Sequence, residues 1–221
     1  MKKTSAIQDL LAVMAKLRSP KGCPWDREQN HMTLRFHAVE EVYEMIDAIE
    51  SGDDHELAEE LGDLLLQVIF HCQLGKERGA FNFEKVARHI TDKLIRRHPH
   101  VFGKTKVKNV DEVWANWEKI KRAEKHGTKH ERASALDGIP RHLPALLRAE
   151  KLVKKARKAK LISESKKLRT SKAELAKQLF ELVEFAQSKS WNAEELLRSE
   201  IRKRERLLRR KEKINEYKAT K

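Results

Sequence analysis

Acidic side chains at helical spacing are the feature of this sequence with the clearest chemical potential. Glu40, Glu41 and Glu44 lie in one segment, and Glu60 and Asp63 lie in the next. Residues three or four apart in an α-helix project from one face, so two antiparallel helices would bring four carboxylates together. Two ionised carboxylates about 4 Å apart repel by roughly 4 kcal/mol at an effective dielectric near 20, so such a cluster needs cations. Oxygen ligands of this kind select Mg²⁺ or Mn²⁺, and Mg²⁺ commonly shares its coordination shell with substrate phosphates.

The same acidic spacing also occurs on solvated helix faces, where carboxylates bind no metal ion. Val42 and Met45 in the first segment, and Leu61 and Leu64 in the second, are residues typical of a protein core. Acids interleaved with such residues favour a site between packed helices. From these residues alone, the metal site and the solvated surface remain alternatives of equal weight.

The acids can meet only if helices position them. Apolar residues recur at three- and four-residue spacing through most of the chain, and this pattern predicts an all-α fold. An amphipathic helix is predicted over 7–17, followed by a rigid loop at 19–26. His98 and His100 flank Pro99, where a loop is predicted rather than a metal site. Thr33 is predicted to cap a second helix that ends at about Glu50, and a third helix is predicted from Asp53 or Asp54 to about Gly79. Asn82 is predicted to cap a fourth helix, and a fifth is predicted to start near Asp111. A loop at 137–140 then leads into a last pair of long basic segments.

Short connections between these helices favour antiparallel packing in a bundle. The segment 57–73 is apolar over more than one face, so it needs neighbouring helices on several sides. A single layer of short helices does not supply them. We therefore expect a homodimer to complete the bundle.

Charge is distributed unevenly along the 221 residues. Residues 1–149 contain 25 lysines and arginines against 23 aspartates and glutamates, whereas 150–221 contain 23 against 11. A basic rear segment is typical of proteins that bind RNA, DNA or another polyanion, so nucleic acid is a candidate partner. A solvated, charge-rich helical surface is the alternative.

Two further features concern the compartment in which the protein works. No apolar run approaches the roughly 20 residues that cross a bilayer, and Gln8 and Asp9 argue against a signal peptide. Cys23 and Cys72 are too few for a disulfide framework or a zinc ligand set. We expect a cytoplasmic protein that makes no contact with membranes.

Several motifs, taken together, resemble the MazG-type nucleoside triphosphate pyrophosphohydrolases of the all-α NTP pyrophosphatase superfamily. They occur in family order over residues 7 to about 160. The motifs are Glu-Glu-x-x-Glu at 40–44, Gly-Cys-Pro-Trp-Asp at 22–26 with Gln29, Glu-Leu-Gly-Asp-Leu-Leu at 60–65, Asp-Lys-Leu at 92–94 leading to Arg-Arg-His-Pro-His-Val-Phe at 96–102, and Ala-Leu-Asp-Gly-Ile-Pro at 135–140. Any one of them is a weak signal, but the ordered set is highly specific.

The resemblance implies hydrolysis of a nucleoside or deoxynucleoside triphosphate to the monophosphate and pyrophosphate, with Mg²⁺ or, in its place, Mn²⁺. It assigns Glu41, Glu44, Glu60 and Asp63 as the metal ligands. The catalytic carboxylates would be Glu41 and Glu40, with Glu40 at or beside the metal, where it would orient or deprotonate the attacking water.

Substrate-binding roles also follow from the resemblance. They fall on Lys93, Arg97, Trp117, Lys121, Trp25 and Gln29. Lys93 and Arg97 would contact the phosphates, although without the family they are equally typical of a solvated basic face. Trp117 would stack on the base or pack beside it, whereas the residues alone favour core packing. Trp25 and Gln29 are candidates for the base pocket, with anchoring of the loop as the favoured alternative for Trp25.

Residues 1–150 are predicted to form the MazG-like domain, and 151–221 a basic, degenerate second copy of its helices. The segment 174–182 repeats the apolar pattern of the second acidic helix, but Lys177 stands where Asp63 does. A lysine in place of a metal carboxylate reverses the charge where a cation should bind. The rear segment is therefore not expected to bind Mg²⁺ or to catalyse.

The leading functional hypothesis is a Mg²⁺-dependent nucleoside triphosphate pyrophosphohydrolase that clears excess or non-standard nucleotides. The alternative is a nucleotide- or nucleic-acid-binding regulator that has lost turnover and uses the basic rear segment. A third interpretation gives that segment only a packing role in the dimer. The motifs do not fix the preferred base or sugar.

Overall fold

The computed structural model describes residues 5–128, 131, 133–163 and 170–219, which form α-helices and the turns between them. The all-α prediction is therefore confirmed for this part of the chain. None of these helices has the length and apolar character needed to span a membrane. The chain divides into two compact units at the bond between Trp117 and Glu118, called unit 1 and unit 2 below.

Unit 1 is organised around two long helices that form a hairpin. Its helices are α1 (Ala6–Leu17), α2 (Pro24–Glu28), α3 (His37–Ser51), α4 (Asp54–Glu77), α5 (Phe83–Arg97), α6 (Pro99–Phe102) and the start of α7 (Val110–Ala123). Gly52 ends α3 with a φ of 75°, in the left-handed region that favours glycine. Asp53 then caps α4, because its side chain accepts hydrogen bonds from the backbone N–H groups of His55 and Glu56. The chain reverses within three residues, so α3 and α4 pack antiparallel.

A small hydrophobic core holds α1 and the turn before α3 against α4. Met14, Leu34, Ile69, Phe70 and Leu74 are buried and pack together. Their burial explains why α4 remains a continuous helix although it contains glycines, which lower helix stability.

The predicted starts of α4 and α5 are confirmed, whereas the predicted start of α3 is wrong. Asn82 caps α5 by accepting a hydrogen bond from the backbone N–H of Lys85, at 2.9 Å. Thr33 does not cap α3, which begins at His37. Its hydroxyl instead accepts a hydrogen bond from the backbone N–H of Asn30, at 2.9 Å, and closes a local turn. Side chains that bond to nearby backbone groups stabilise turns as readily as helix ends. The position of Thr33 before an apolar segment therefore predicted a helix cap where the structure has a turn.

Two segments predicted as loops contain short helices. Pro24 begins α2 and Pro99 begins α6, each at the first helical position. Proline is favoured there because its fixed φ suits a helix and its missing N–H would have no partner within the helix. The loop predictions for these prolines were wrong for this reason.

Among the residues of unit 2 that the structure describes, the end of α7 is followed by three further helices, rather than the predicted pair of segments. These are α8 (Ala145–Lys158), α9 (Lys172–Ser188) and α10 (Ala193–Ala219). Its core includes Leu136, Leu152, Ala156 and Ile201, all buried. The Ala-Leu-Asp-Gly-Ile-Pro motif at 135–140 belongs to this core, since Leu136 is buried and the Asp137 carboxylate pairs with Arg209 at 2.7 Å.

Candidate metal centre

Three carboxylates from the α3–α4 hairpin meet in unit 1. Glu41 on α3 and Glu60 and Asp63 on α4 each offer an oxygen, and these oxygens lie within 4.8 Å of one another. All three residues are partly buried. The antiparallel packing of the two helices produces this arrangement, because it brings the start of α3 beside the middle of α4.

A neutral side chain that the sequence patterns did not single out supports this cluster. Gln67 lies on α4 one helical turn after Asp63 and is only 8% exposed. Its Nε2 donates a hydrogen bond to Oε1 of Glu41, at 3.3 Å, which links the two helices. Its Oε1 is buried without a hydrogen-bond donor among the described residues. Gln67 therefore fixes one carboxylate of the cluster and leaves one polar oxygen beside it without a partner.

The electrostatics of the cluster are those of acids held close together. Burial raises the pKa of Glu41, the hydrogen bond from Gln67 lowers it, and the negative charges of Asp63, Glu44 and Glu40 raise it again. Partial burial likewise raises the pKa of Glu60, with further contributions from the neighbouring charges of Glu44, Asp63 and Glu41. Both carboxyls therefore lose their protons less readily than an isolated glutamate, and a bound cation would reverse that effect.

The two other predicted acids lie at the edge of this cluster. Glu44 is exposed and is absent from the group of oxygens within 4.8 Å, but its charge acts on both Glu41 and Glu60. Glu40 is also exposed, and its carboxylate lies 3.8 Å from Nδ1 of His37, one turn earlier on α3.

The predicted phosphate- and base-binding residues form a second group, at the end of α5 and on α7. Arg97 is buried, and its guanidinium lies over the ring of Trp117, 5.2 Å from the ring centroid. The ring of His98 meets Trp117 edge-on, with centroids 5.1 Å apart. Lys93 lies one turn before Arg97 and is partly buried. Trp117 thus contacts a cation and an imidazole and is only partly buried, unlike a residue of the hydrophobic core.

Lys121 belongs to unit 2, although it lies one helical turn after Trp117 on α7. Its Nζ lies 3.5 Å from a carboxylate oxygen of Glu118. This ion pair connects two neighbouring turns of the same helix.

Trp25 and Gln29 form a third group, in the loop that contains α2. Nε2 of Gln29 donates to the backbone carbonyl of Trp25, at 3.1 Å. Trp25 is 54% exposed, and its ring meets that of His37 edge-on, with centroids 6.4 Å apart, so both its anchoring role and its base-pocket role stay predictions. Arg18 also holds the loop, since it donates to the backbone carbonyls of Asp26 and Gln29 and pairs with Glu77 at 2.7 Å.

The donor set of the acidic cluster suits a hard divalent cation. Carboxylate oxygens, with an amide oxygen of Gln67 nearby, are the ligands that Mg²⁺, Mn²⁺ and Ca²⁺ accept, whereas zinc favours nitrogen and sulfur. Three ligands from two helices leave half of an octahedral shell for water and for a phosphate-bearing substrate. The residues present therefore fit a metal that is shared with a ligand.

Comparison with known proteins agrees with this geometry. Residues 29–102 match the model of the MazG nucleotide pyrophosphohydrolase domain. The chain contains a MazG domain. The resemblance inferred from the sequence motifs is thus confirmed, and the matched span includes the whole acidic cluster and Gln67. The MazG domain also includes Lys93 and Arg97, whereas Trp25, Trp117 and Lys121 lie outside the matched span.

Several curated relatives resemble the chain over its first two thirds. The nucleoside triphosphate pyrophosphohydrolase of Escherichia coli K12 is 49% identical over 150 residues, which are 67% of this chain and 56% of that protein. The nucleoside triphosphate pyrophosphohydrolase/pyrophosphatase MazG of Thermotoga maritima is 45% identical over 149 residues, 67% of this chain and 56% of that protein. The uncharacterized protein YabN of Bacillus subtilis is 46% identical over 143 residues, 65% of this chain and 29% of that protein. The matched part of the chain thus spans about half of the length of the two pyrophosphohydrolases and less than a third of YabN.

Solved structures also show a partial likeness. A mazG-related protein from Thermotoga maritima superposes with a TM-score of 0.45 at 24% sequence identity, over 52% of this chain and 97% of that chain. A likeness of this size supports no conclusion beyond the domain match.

Proposed function

We propose that this chain hydrolyses nucleoside triphosphates, or their deoxy forms, to the monophosphate and pyrophosphate with the help of Mg²⁺. The observation that carries the proposal is the meeting of Glu41, Glu60 and Asp63 within 4.8 Å, inside a segment that matches the MazG domain. The relatives named nucleoside triphosphate pyrophosphohydrolase support the same reaction, although the chain spans only part of them.

Metal binding falls to the acidic cluster in this proposal. Glu41, Glu60 and Asp63 would hold Mg²⁺, with Glu44 completing the set after a rotamer change, and Mn²⁺ would substitute. When bound there, a divalent ion would supply charge neutralisation for the phosphates and activation of water near neutral pH. Gln67 keeps the Glu41 carboxylate in one orientation, so that less conformational freedom is lost when the site is filled.

The chain's own side chains would bind the substrate and move a proton. Water attacks a phosphorus atom in line with the phosphoanhydride bond, that P–O bond breaks, and pyrophosphate leaves. The exposed Glu40 carboxylate is suited to orient the water or to take its proton. Lys93 and Arg97 would neutralise charge that develops on the phosphate oxygens, which is the main source of rate enhancement in such reactions.

Recognition of the base would fall to the aromatic residues. The partly buried Trp117 would contact a base by stacking or edge packing. Trp25, which is 54% exposed, and Gln29 are further candidates for base recognition. Lys121 is a substrate-binding candidate from the sequence pattern alone. Stacking on an aromatic ring tolerates every base, so this arrangement predicts broad base specificity.

A homodimer is also part of the proposal. Apolar side chains more than a third exposed follow one face of α3 and continue onto α4. They are Val39, Val42, Tyr43, Ile46 and Ile49 on α3, and Leu61, Leu65 and Val68 on α4. An exposed apolar patch of this kind marks an interface, and a second copy of the same hairpin would cover it.

Sedimentation velocity tests the homodimer. We expect a dimer at micromolar concentration, and we expect Ile46→Arg to dissociate it. Val13→Arg, at a similarly exposed apolar position on α1, is the matched control and should leave the dimer intact. A monodisperse monomer of the unsubstituted protein would rule the dimer out.

The rear of the chain is proposed to be a non-catalytic addition to a MazG-like domain of residues 1–150. Asn192 caps α10 by accepting from the backbone N–H of Glu195 at 2.9 Å, as Asn82 caps α5. This supports descent of 151–221 from a second copy. Lys177 is exposed and lies 3.7 Å from Glu181, an arrangement suited to solvent rather than to a metal.

A cytoplasmic location completes the proposal. Cys23 and Cys72 are both free thiols in the structure. Free cysteines are typical of proteins kept in reducing compartments.

A panel of nucleotides with product analysis tests the reaction. The substrates are the common ribo- and deoxyribonucleoside triphosphates together with oxidised and deaminated forms, each incubated with Mg²⁺. We expect equal amounts of pyrophosphate and monophosphate, and a loss of at least about 100-fold in the Glu41→Gln, Glu44→Gln double variant. The control is Glu50→Gln, Glu56→Gln, which makes the same charge change on the two helices of the hairpin, outside the cluster. Equal activity in the unsubstituted protein and the Glu41/Glu44 variant would end the proposal.

A further inference from the structure

A basic cavity in unit 2 contains none of the residues proposed for metal or substrate binding. Its volume is about 510 Å³, within the range of small-molecule sites. Besides Ser199 and Glu205, its lining consists of arginines. They are Arg141, Arg148, Arg198, Arg202, Arg206 and Arg209.

The helical repeat places most of these arginines on one face of α10. Arg198, Arg202 and Arg206 are spaced four residues apart, and Arg209 follows three residues later. The buried Ile201 of α10 belongs to the same core as residues of α8, so this face is turned toward α8 and the segment before it. Arg148 on α8 and Arg141 in that preceding segment complete the ring.

Three of the six guanidinium groups have close acidic partners. Arg148 and Arg209 share the Glu205 carboxylate, at 2.6 and 2.8 Å, and Arg198 pairs with Glu194. Arg202 lies 3.9 Å from Glu195, at the limit of an ion pair.

The other two guanidiniums, those of Arg141 and Arg206, have no acidic partner within the part of the chain that the structure describes. Like charges gathered around a concave surface raise the potential there and attract an anion. The cavity therefore has an excess of positive charge, in which these two arginines are free to bind.

Arg148 gives a second and independent sign that a ligand belongs here. This residue is 7% exposed, and one of its Nη atoms is held by Glu205. Its Nε is buried and has no acceptor among the described residues. A buried N–H without an acceptor costs about 1–3 kcal/mol, and an unpaired group in a native structure commonly marks a missing water or ion. An anion in the cavity would bring an acceptor to Arg148.

We propose that this cavity binds the oligophosphate group of a small molecule. Guanidinium groups match phosphate oxygens with paired hydrogen bonds, and several of them together need a ligand with several negative charges. A cavity of about 510 Å³ holds two or three phosphates or one nucleotide. A nucleic acid strand instead needs a groove that follows several nucleotides.

Free pyrophosphate and a nucleotide both carry this chemistry. A neighbouring cavity shares Ser199 and Arg202 with the arginine cavity and is lined by Trp191, whose side chain is 54% exposed. If the ligand is a nucleotide, its base stacks on Trp191 while its phosphates lie among the arginines. If the ligand is free pyrophosphate, Trp191 is not involved.

Calorimetric titration of the full chain tests the proposal. The probes are inorganic pyrophosphate and a nucleoside triphosphate, each in EDTA, so that no divalent ion bridges phosphate to the acidic cluster of unit 1. We expect binding of at least one probe, and a loss of at least tenfold in the Arg141→Gln, Arg206→Gln double variant. Neither substitution removes an ion pair between described residues, so helix content and melting temperature should be unchanged.

Arg210→Gln is the matched control, since Arg210 is an exposed arginine on α10 outside the cavity. It should bind both probes like the unsubstituted chain. Equal affinity for the two probes, unaffected by Trp191→Leu, supports the proposal with phosphate alone as the recognised group. Tighter binding of the nucleotide that Trp191→Leu abolishes supports it with a nucleotide as the ligand.

Three results would overturn the proposal. The first is no binding of either probe. The second is an equal loss of affinity in Arg210→Gln and in the double variant, which would indicate attraction by overall charge. The third is binding of a short RNA under conditions where neither small probe binds, which would make the basic face a nucleic-acid surface instead.

Discussion

Replacing Gln67 with methionine should weaken metal-dependent activity without weakening the fold. Methionine has a similar volume and flexibility, so it fills the same space without forming the hydrogen bond to Glu41. The substitution therefore removes the support of one carboxylate and leaves all the acids of the cluster in place.

The magnitude follows from the contacts of the two amide atoms. A hydrogen bond to a charged group contributes about 1.5–3 kcal/mol, and a length of 3.3 Å places this one at the lower end. A loss near 1.4 kcal/mol corresponds to a tenfold change in an equilibrium constant. The Oε1 atom is buried without a donor among the described residues, and its removal relieves a cost of about 1–3 kcal/mol. These two effects nearly cancel in stability but not in metal binding.

The assay is pyrophosphate release measured against Mg²⁺ concentration. We expect the half-saturating Mg²⁺ concentration to rise about tenfold in Gln67→Met, with a melting temperature in EDTA equal to or above that of the unsubstituted protein. Gln73→Met is the matched control, because Gln73 on the same helix also donates to a carboxylate, that of Glu77 at 3.0 Å. An unchanged Mg²⁺ dependence in Gln67→Met would refute the role given to Gln67.

Three further predictions follow from single residues. Glu60→Gln should raise the melting temperature in EDTA and abolish the stabilisation by Mg²⁺. Partial burial, together with the neighbouring charges, raises the Glu60 pKa and makes its ionised form unfavourable without metal. A lower melting temperature in EDTA would contradict this. Burial and the nearby His31 lower the pKa of His71, so the unfolded chain binds that proton more readily and stability should fall as pH drops below about 6.5. Melting at pH 5.5 and 7.5 checks this, and His71→Gln should reduce the difference. Glu194→Ala should destabilise the protein by about 1 kcal/mol in denaturant titration. The Glu194 carboxylate caps α8, because it accepts a hydrogen bond from the first backbone N–H of that helix at 2.9 Å. An unchanged free energy of unfolding would show that this cap contributes nothing.

Much of the fold was predictable because its signals are local. Asp53 and Asn82 cap their helices as expected, since a cap depends on the next three residues only. Thr33 failed because the competing turn at Asn30 uses the same kind of hydrogen bond. The prolines that begin α2 and α6 were taken for loop residues, although their position before helix-forming residues is an alternative signal for a helix start.

The candidate site was predictable only in part. The acids could be found because each pair repeats at one helical turn, and the hairpin connection made their convergence plausible. Gln67 was missed because an amide in an apolar helix carries no charge signal, although it lies four residues after Asp63 on the same face. The pairing of His31 with His71, whose Nδ1 atoms are 2.8 Å apart, joins residues forty positions apart and follows from no local rule.

The arginine cavity was also predictable only in part. The spacing of Arg198, Arg202 and Arg206 on α10 is visible in the sequence. The contribution of Arg148 depends on how α8 packs against α10, which the sequence pattern does not specify.

Electron paramagnetic resonance of bound Mn²⁺ tests most directly whether the acidic cluster is the catalytic metal centre. Hydrolysis is measured on the same samples. The unsubstituted protein should bind Mn²⁺ and convert nucleoside triphosphate to monophosphate and pyrophosphate. The Glu60→Gln, Asp63→Asn variant should lose both properties together, while the Glu50→Gln, Glu56→Gln control keeps both. Undiminished hydrolysis by a Glu60/Asp63 variant that no longer binds Mn²⁺ would contradict the assignment of this cluster as the catalytic metal centre.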